Sequence, residues 1–170
     1  MTKVTRVYWD ACSWIAYIQK EMPGPGKGFQ EPRFDLCRQV LKRAEAGEIE
    51  IATSAFTLAE VCKFPSDPTS PVTNLPAFFD QQYIVLVPVD KQIGVKAQSL
   101  QLAGLIGLKP PDAIHLASAT VWNVPVFHTF DKTLLDLNGL VMLADGNPLK
   151  IVKPTDENPK PGLLEAMEGA

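Results

Sequence analysis

The sequence has little that would suit it to an oxidising compartment or a membrane. Its three cysteines, Cys12, Cys37 and Cys62, are odd in number and widely separated, with no CxxC pair and no neighbouring histidine. That excludes a disulfide scaffold and a cysteine-based zinc site, and leaves reduced, mostly buried thiols. No apolar run approaches the length that spans a bilayer. The first residues, MTKVTRVYWD, carry no charged-then-apolar leader with a small-residue cleavage site. A cytoplasmic location without membrane attachment is the expectation. A basic surplus is missing as well: 16 Lys and Arg stand against 19 Asp and Glu, a formal net charge of -3. Surfaces that grip phosphates usually carry the opposite sign, which counts against a broadly basic nucleic-acid binder. Carboxylates gathered around a cation are negative in such a sum, however, and the bound ion reverses the local sign.

What is present is the balance of a globular chain: 170 residues, 46% apolar and 21% charged. This length suits one domain with a tail. Strand patterns are expected over residues 4–10, 49–52, 84–89, 124–129 and 140–143. The third is a continuous Val- and Ile-rich run, as in a strand buried on both faces of a parallel sheet. Helical spacing is expected between them. Trp14, Ile15 and Ile18 fall at helical intervals, and so do Leu36, Val40, Leu41 and Ala44 ahead of a stop at Gly47. Further helices are expected around Leu58–Cys62, 77–82, 92–103, 112–122 and 132–137, with Pro110 and Pro111 marking a start. Pro- and Gly-rich stretches at 21–28 and 65–71 read as loops. Alternating strands and helices indicate an α/β sandwich around a mainly parallel sheet. Residues 1–145 read as the domain and 146–170 as a proline-rich polar tail.

Four acids fall at informative places. Asp10 closes the first expected strand and Asp131 follows the fourth, and parallel sheets bind ligands beyond the carboxyl ends of their strands. For either acid alone the helix cap is the preferred reading, and together the two are more suggestive. Glu60 lies between Leu58 and Val61, and Asp112 opens a helix with Ala113, Ile114, Leu116 and Ala117. An ionised acid among apolar helix residues is costly unless it is paired or binds a cation. The plainer alternatives are an exposed helix face for Glu60 and a helix cap for Asp112. His115 fits a packed, hydrogen-bonded residue better than a ligand or base, and His128 carries no chemistry. Lys63, Lys109, Lys132 and Arg33 read as solvated charges, and Trp9 and Trp122 as core.

Taken together, Asp10 in VYWDACSWI, Glu60 in TLAEV, Asp112 in PPDAIHLA and Asp131 in HTFDKTL resemble the four acidic motifs of PIN-domain nucleases. The resemblance covers about residues 4–144. The DAIHLA stretch is most similar to the VapC-type toxin branch. The resemblance implies a three-layer α/β/α sandwich with a central, mainly parallel sheet of four to five strands. It also implies a ribonuclease that uses Mg²⁺ or Mn²⁺, ions that favour hard oxygen ligands. Asp10, Asp112 and Asp131 would be the main metal ligands. Glu60 would bind a second ion or orient water, and Ser13 and Thr129 would hydrogen bond the carboxylates. RNA is the implied substrate, an antitoxin protein the implied partner, and a homodimer the implied assembly. The sequence departs from the family where Ala11 and Cys12 replace the usual Thr, Ser or Asn after the first acid. Its loops at 21–33 and 65–76 are longer than in the smallest members, and the tail has no counterpart. The rival reading is a catalytically silent PIN scaffold that binds RNA or a protein, and the presence of all four acids argues against it. A metal-dependent phosphatase would need a DxD pair where Ala11, Cys12 and Ser13 follow Asp10.

Overall fold

Residues 4–62 and 65–155 are described by the computed structural model. In chain order the elements are β1 (Thr5–Trp9), α1 (Ala11–Ile18), α2 (Arg33–Glu45), β2 (Ile49–Ser54), α3 (Thr57–Glu60), α4 (Leu75–Phe78), β3 (Ile84–Val87), α5 (Lys91–Leu102), α6 (Pro110–Val121), β4 (Val126–His128), α7 (Lys132–Leu135) and β5 (Lys150–Val152). The strands form one sheet in the order β3-β2-β1-β4-β5, and every neighbouring pair is parallel. The chain builds outward from β1 to β3 on one side, then returns to lay β4 and β5 on the other. Strand order therefore reverses at β1, and the crevice beyond the ends of β1 and β4 is the place where such sheets take ligands.

Alternation along β1 assigns the two faces. Val7 and Trp9 enter a core with Trp14, Tyr17 and Ile18 of α1 and Phe34, Val40 and Leu41 of α2. Tyr8 points the other way, into a core with Phe127 of β4, Ile151 of β5 and Leu116, Ala113 and Ala117 of α6. Helices cover both faces, giving the three-layer α/β/α sandwich. Local signals place the helices. Asp10 caps α1 by accepting from the Ser13 N–H, and Asp90 caps α5 by accepting from Ile93. Gly47 follows α2 with φ +77°, a left-handed turn that a side chain would strain. Among the described residues no helix is long and apolar enough to cross a membrane.

Several expectations need correction. The fifth strand is not at 140–143 but at Lys150–Val152, where Phe127 pairs with Ile151. The alternation that suggested a strand is real, since Val141 and Leu143 are buried while Leu140 and Met142 are exposed. Its hydrogen bonds, however, go to the segment that folds back on it. Leu143 N–H donates to Asn147 O and Leu149 N–H to Val141 O, with an isolated antiparallel bridge between Met142 and Pro148. β5 thus draws on residues read as tail, and residues 156–170 of that tail lie outside the described ones. β3 occupies an edge of the sheet, so its apolar run is half-covered at Val85 and Leu86. α3 stops at Glu60, short of Val61 and Cys62. Trp122 is exposed and lines a surface pocket with Arg6, Glu50 and Asp145 at the amino ends of the strands, far from the crevice. The thiols are unpaired, but only Cys37 is buried; Cys12 is half-buried and Cys62 exposed.

Candidate active site

Trp9 of β1 pairs with His128 of β4, so the next residues, Asp10 and Thr129, emerge side by side at the carboxyl ends of two adjacent strands. Asp10 is 5% exposed. Its Oδ2 accepts from the Thr129 hydroxyl at 2.6 Å. Its Oδ1 accepts from the Cys12 thiol at 2.9 Å and the Ser13 N–H at 3.2 Å. The Ser13 hydroxyl has one proton and two acceptors in reach, Asp10 Oδ1 at 3.3 Å and the His128 carbonyl at 3.1 Å. Burial raises the Asp10 pKa above 3.8, and the His115 imidazole with the donors at Cys12, Thr129 and Ser13 works against that rise. Burial next to Asp10 pushes the Cys12 thiol well up, so it stays protonated and can donate. The departure at positions 11 and 12 therefore still supplies a donor, as sulfur in place of oxygen.

Thr129 also organises the turn after β4. Its hydroxyl oxygen accepts from the Asp131 N–H at 3.0 Å, and its own N–H donates to Val152 of β5. Asp131 is exposed and caps α7, with Oδ1 accepting from Thr133 at 2.8 Å and Leu134 at 3.3 Å. Gly107 packs this corner from the α5–α6 turn. A Cβ there would stand 2.9 Å from the Thr133 methyl, at a φ of +75°, so glycine is required on both counts.

Asp112 does not take the helix-cap role that is its plainer alternative. α6 begins at Pro110, so Asp112 is its third residue and the cap position belongs to Lys109, with no side-chain cap bond. The carboxylate sits half-buried without a hydrogen bond or ion pair from any described residue. Its pKa is raised, chiefly by burial, then by the negative charges of Asp131, Asp10 and, more weakly, Glu60; His115 lowers it. The charges of all three other acids thus bear on Asp112. Glu60 closes α3 and directs Oε2 to His115 Nε2 at 2.6 Å. His115, buried on α6, continues to the Tyr8 hydroxyl at 2.7 Å.

As they stand, no three His, Cys, Asp or Glu side chains among the described residues are arranged to hold a metal ion. The donor chemistry nonetheless fits a hard divalent cation: four carboxylates, with the Asp112 charge resisted by burial and by its neighbours and met by no described lysine or arginine. Two of the basic residues near the motifs are otherwise engaged. Lys132 pairs with Asp136, and Arg33 pairs with Glu21 and Glu31 while its guanidinium lies over the Phe29 and Phe130 rings at 4.0 and 4.9 Å. Lys63 lies outside the described residues. His128 accepts the Trp9 indole N–H at 3.1 Å within the core.

Two contributors escaped the sequence reading, Tyr8 and Cys12. Tyr8 could have been found from parity, since it faces α6 while Val7 and Trp9 face α1. Cys12 could have been found from its place two residues after a capping acid. A model of the PIN domain family matches residues 7–140, a span that includes all four acids. No curated protein matches the chain.

Proposed function

Because this chain belongs to the PIN-domain family, whose members are generally nucleases, we propose that it is a divalent-metal-dependent ribonuclease. The observation that carries the proposal is Asp112. It is a half-buried acid that caps nothing and pairs with nothing described, and three like charges act on it. A fold keeps such a group at a cost unless a ligand relieves it. Asp10, Asp112 and Asp131 would hold Mg²⁺ or Mn²⁺, with Glu60 binding a second ion or orienting water. The ion supplies charge neutralisation at the phosphate and activation of water when bound. The protein's own part is orientation. Thr129, Cys12 and Ser13 keep both oxygens of Asp10 fixed, and the Thr129 hydroxyl ties the Asp131 backbone to the same point.

The DAIHLA stretch supports placement in the VapC-type branch, with an antitoxin as partner. A basic side chain offered by that partner would find four acids to pair with. The test is cleavage of generic RNA by purified protein in chelator and in Mg²⁺ or Mn²⁺, for wild type and Asp112→Asn. Cleavage only by wild type and only with metal is the expected result. Full activity in chelator overturns metal dependence, and no activity under any condition leaves the silent scaffold in its place.

A further inference from the structure

Beneath the acids runs a chain of polar contacts that this chemistry does not use. Glu60 Oε2 meets His115 Nε2 at 2.6 Å, His115 Nδ1 meets the Tyr8 hydroxyl at 2.7 Å, and the Tyr8 oxygen accepts from the Ser54 N–H at 3.0 Å. His115 is 1% exposed and Tyr8 fully buried. Three acid-bearing elements meet there. Tyr8 precedes Asp10 by two residues on β1, His115 follows Asp112 by one turn on α6, and Glu60 ends α3. Resting on the nuclease reading, we propose that Tyr8 and His115 are positioning residues. Their relay fixes the Glu60 carboxylate, and its spacing from Asp112 and Asp10, for cation binding and cleavage.

Proton placement follows from what each group can donate. An ionised carboxylate only accepts, so the hydrogen between Glu60 and His115 belongs to Nε2. With a neutral ring, Nδ1 offers a lone pair and the Tyr8 O–H fills it, while the Ser54 N–H occupies an acceptor site on the same phenol. With a charged ring, Nδ1–H donates to the Tyr8 oxygen. Both arrangements leave Nε2–H aimed at Glu60. Burial holds the phenol far above its usual pKa, so Tyr8 keeps its proton throughout.

Packing removes the remaining freedom. The Tyr8 ring stacks on Phe127 with centroids 4.9 Å apart, and the imidazole stands edge-on to Tyr8 at 5.8 Å with Phe56 beyond it at 6.2 Å. Glu60 is the last residue of a helix of four, with little backbone support of its own. An imidazole locked on its far side by a phenol gives that carboxylate the fixed direction its helix cannot. The same device orients ligands in known metal sites, where removing an outer partner typically costs about 10- to 100-fold in metal affinity or activity.

The experiment compares wild type, Tyr8→Phe, His115→Gln and His115→Leu in Mn²⁺ binding by calorimetry, in kcat and KM for RNA cleavage at saturating Mn²⁺, and in long-range proton–nitrogen spectra of the imidazole. The wild-type ring is expected to carry its proton on Nε2. Tyr8→Phe keeps the ring stack and should weaken Mn²⁺ binding and lower kcat by about 10-fold while leaving KM for RNA unchanged. His115→Gln retains an N–H donor for Glu60 and should recover part of what His115→Leu loses. A wild-type ring protonated on Nδ1 alone overturns the relay. So do variants that bind Mn²⁺ and cleave as wild type does. If His115→Leu fails to fold, Tyr8→Phe and the wild-type spectrum still decide. A wild type that neither binds Mn²⁺ nor cuts RNA overturns the nuclease reading and the relay's role with it, whereas functional wild type with unaffected variants overturns the relay alone.

Discussion

Asp10 accepts hydrogen bonds on both of its oxygens, from Thr129 on one side and Cys12 and Ser13 on the other, whereas Asp112 in the first turn of α6 accepts none from a described residue. Both carboxyl groups are raised in pKa by burial. At Asp10 the strongest opposing influences include protein donors, while at Asp112 further negative charges add to the rise. The protein thus solvates one anion with its own dipoles and offers the other no donor among the described residues. On the proposed reading, one half of the site is preorganised and the other would depend on its ligand. The contrast predicts that equivalent substitutions will act with opposite sign on the metal-free fold.

The largest combined effect is expected from Asp10→Asn. The amide nitrogen must face a donor that previously met an oxygen, and each buried donor left unsatisfied costs about 1–3 kcal/mol. Thermal unfolding in chelator should show the loss, and RNA cleavage should vanish with it. Asp112→Asn sharpens the comparison. Cleavage should fall by about 100-fold or more, the upper end of what outer-shell changes cost, yet the metal-free protein should be as stable as wild type or more so, because like-charge repulsion is relieved. The stabilisation by Mn²⁺, roughly 2.7 kcal/mol at 100 times the dissociation constant, should shrink. A metal-free Asp112→Asn that melts several degrees early would make Asp112 a structural acid and break the contrast.

Next in size is Thr129→Val. It removes the donor to Asp10 Oδ2 and the acceptor of the Asp131 N–H, and should cost about 1–3 kcal/mol in urea unfolding together with a weaker grip on Mn²⁺. A pH series tests Asp112 from another side. Its folded pKa lies above 3.8, so the unfolded chain releases this proton first as pH rises. The metal-free stability that the group contributes is greatest on the acid side, falls as pH climbs from 3.8 through the folded pKa, and stays low beyond it. Asp10, also raised, acts in the same direction. Urea unfolding in chelator should show Asp112→Asn gaining on wild type from acid to neutral pH; a constant gap would remove Asp112 from the account. The smallest change is Cys12→Ser, which keeps a donor for Asp10, whereas Cys12→Ala should lose about 1 kcal/mol. Equal unfolding of both variants would show that the thiol contributes no hydrogen bond.

The parts of this fold legible in sequence are those fixed by local chemistry. Trp14 and Ile18 repeat at helical spacing, and Gly47 stops α2 because only its backbone enters a left-handed turn without strain. The strand at residues 140–143 misled because alternation reports burial on one side and is silent about the hydrogen-bond partner. Val141 and Leu143 are buried as a strand would bury them, but their partners, Leu149 and Asn147, are only eight and four residues away. The plainer alternative for Asp112, a helix cap, fails because two prolines can themselves begin the first helical turn. In the site, the acids could be named from sequence, but their settings could not. Whether a carboxylate is enclosed by Thr129 and Cys12 or stands alone depends on strand register between β1 and β4, and residues 119 positions apart meet only once that register forms.

That separation bears on synthesis. β1 is made before the other strands, yet it is the middle strand of the sheet, and its β4 neighbour is made only after β2 and β3. Until then Asp10 lacks the Thr129 hydroxyl and the Asp131 turn beside it, and Thr129 in turn lacks Val152 of β5 to hold its backbone. Pairings so distant in sequence form slowly and late. On the proposed ribonuclease reading, the sheet order would act as a timer: cutting power would arrive only after the last two strands have been translated.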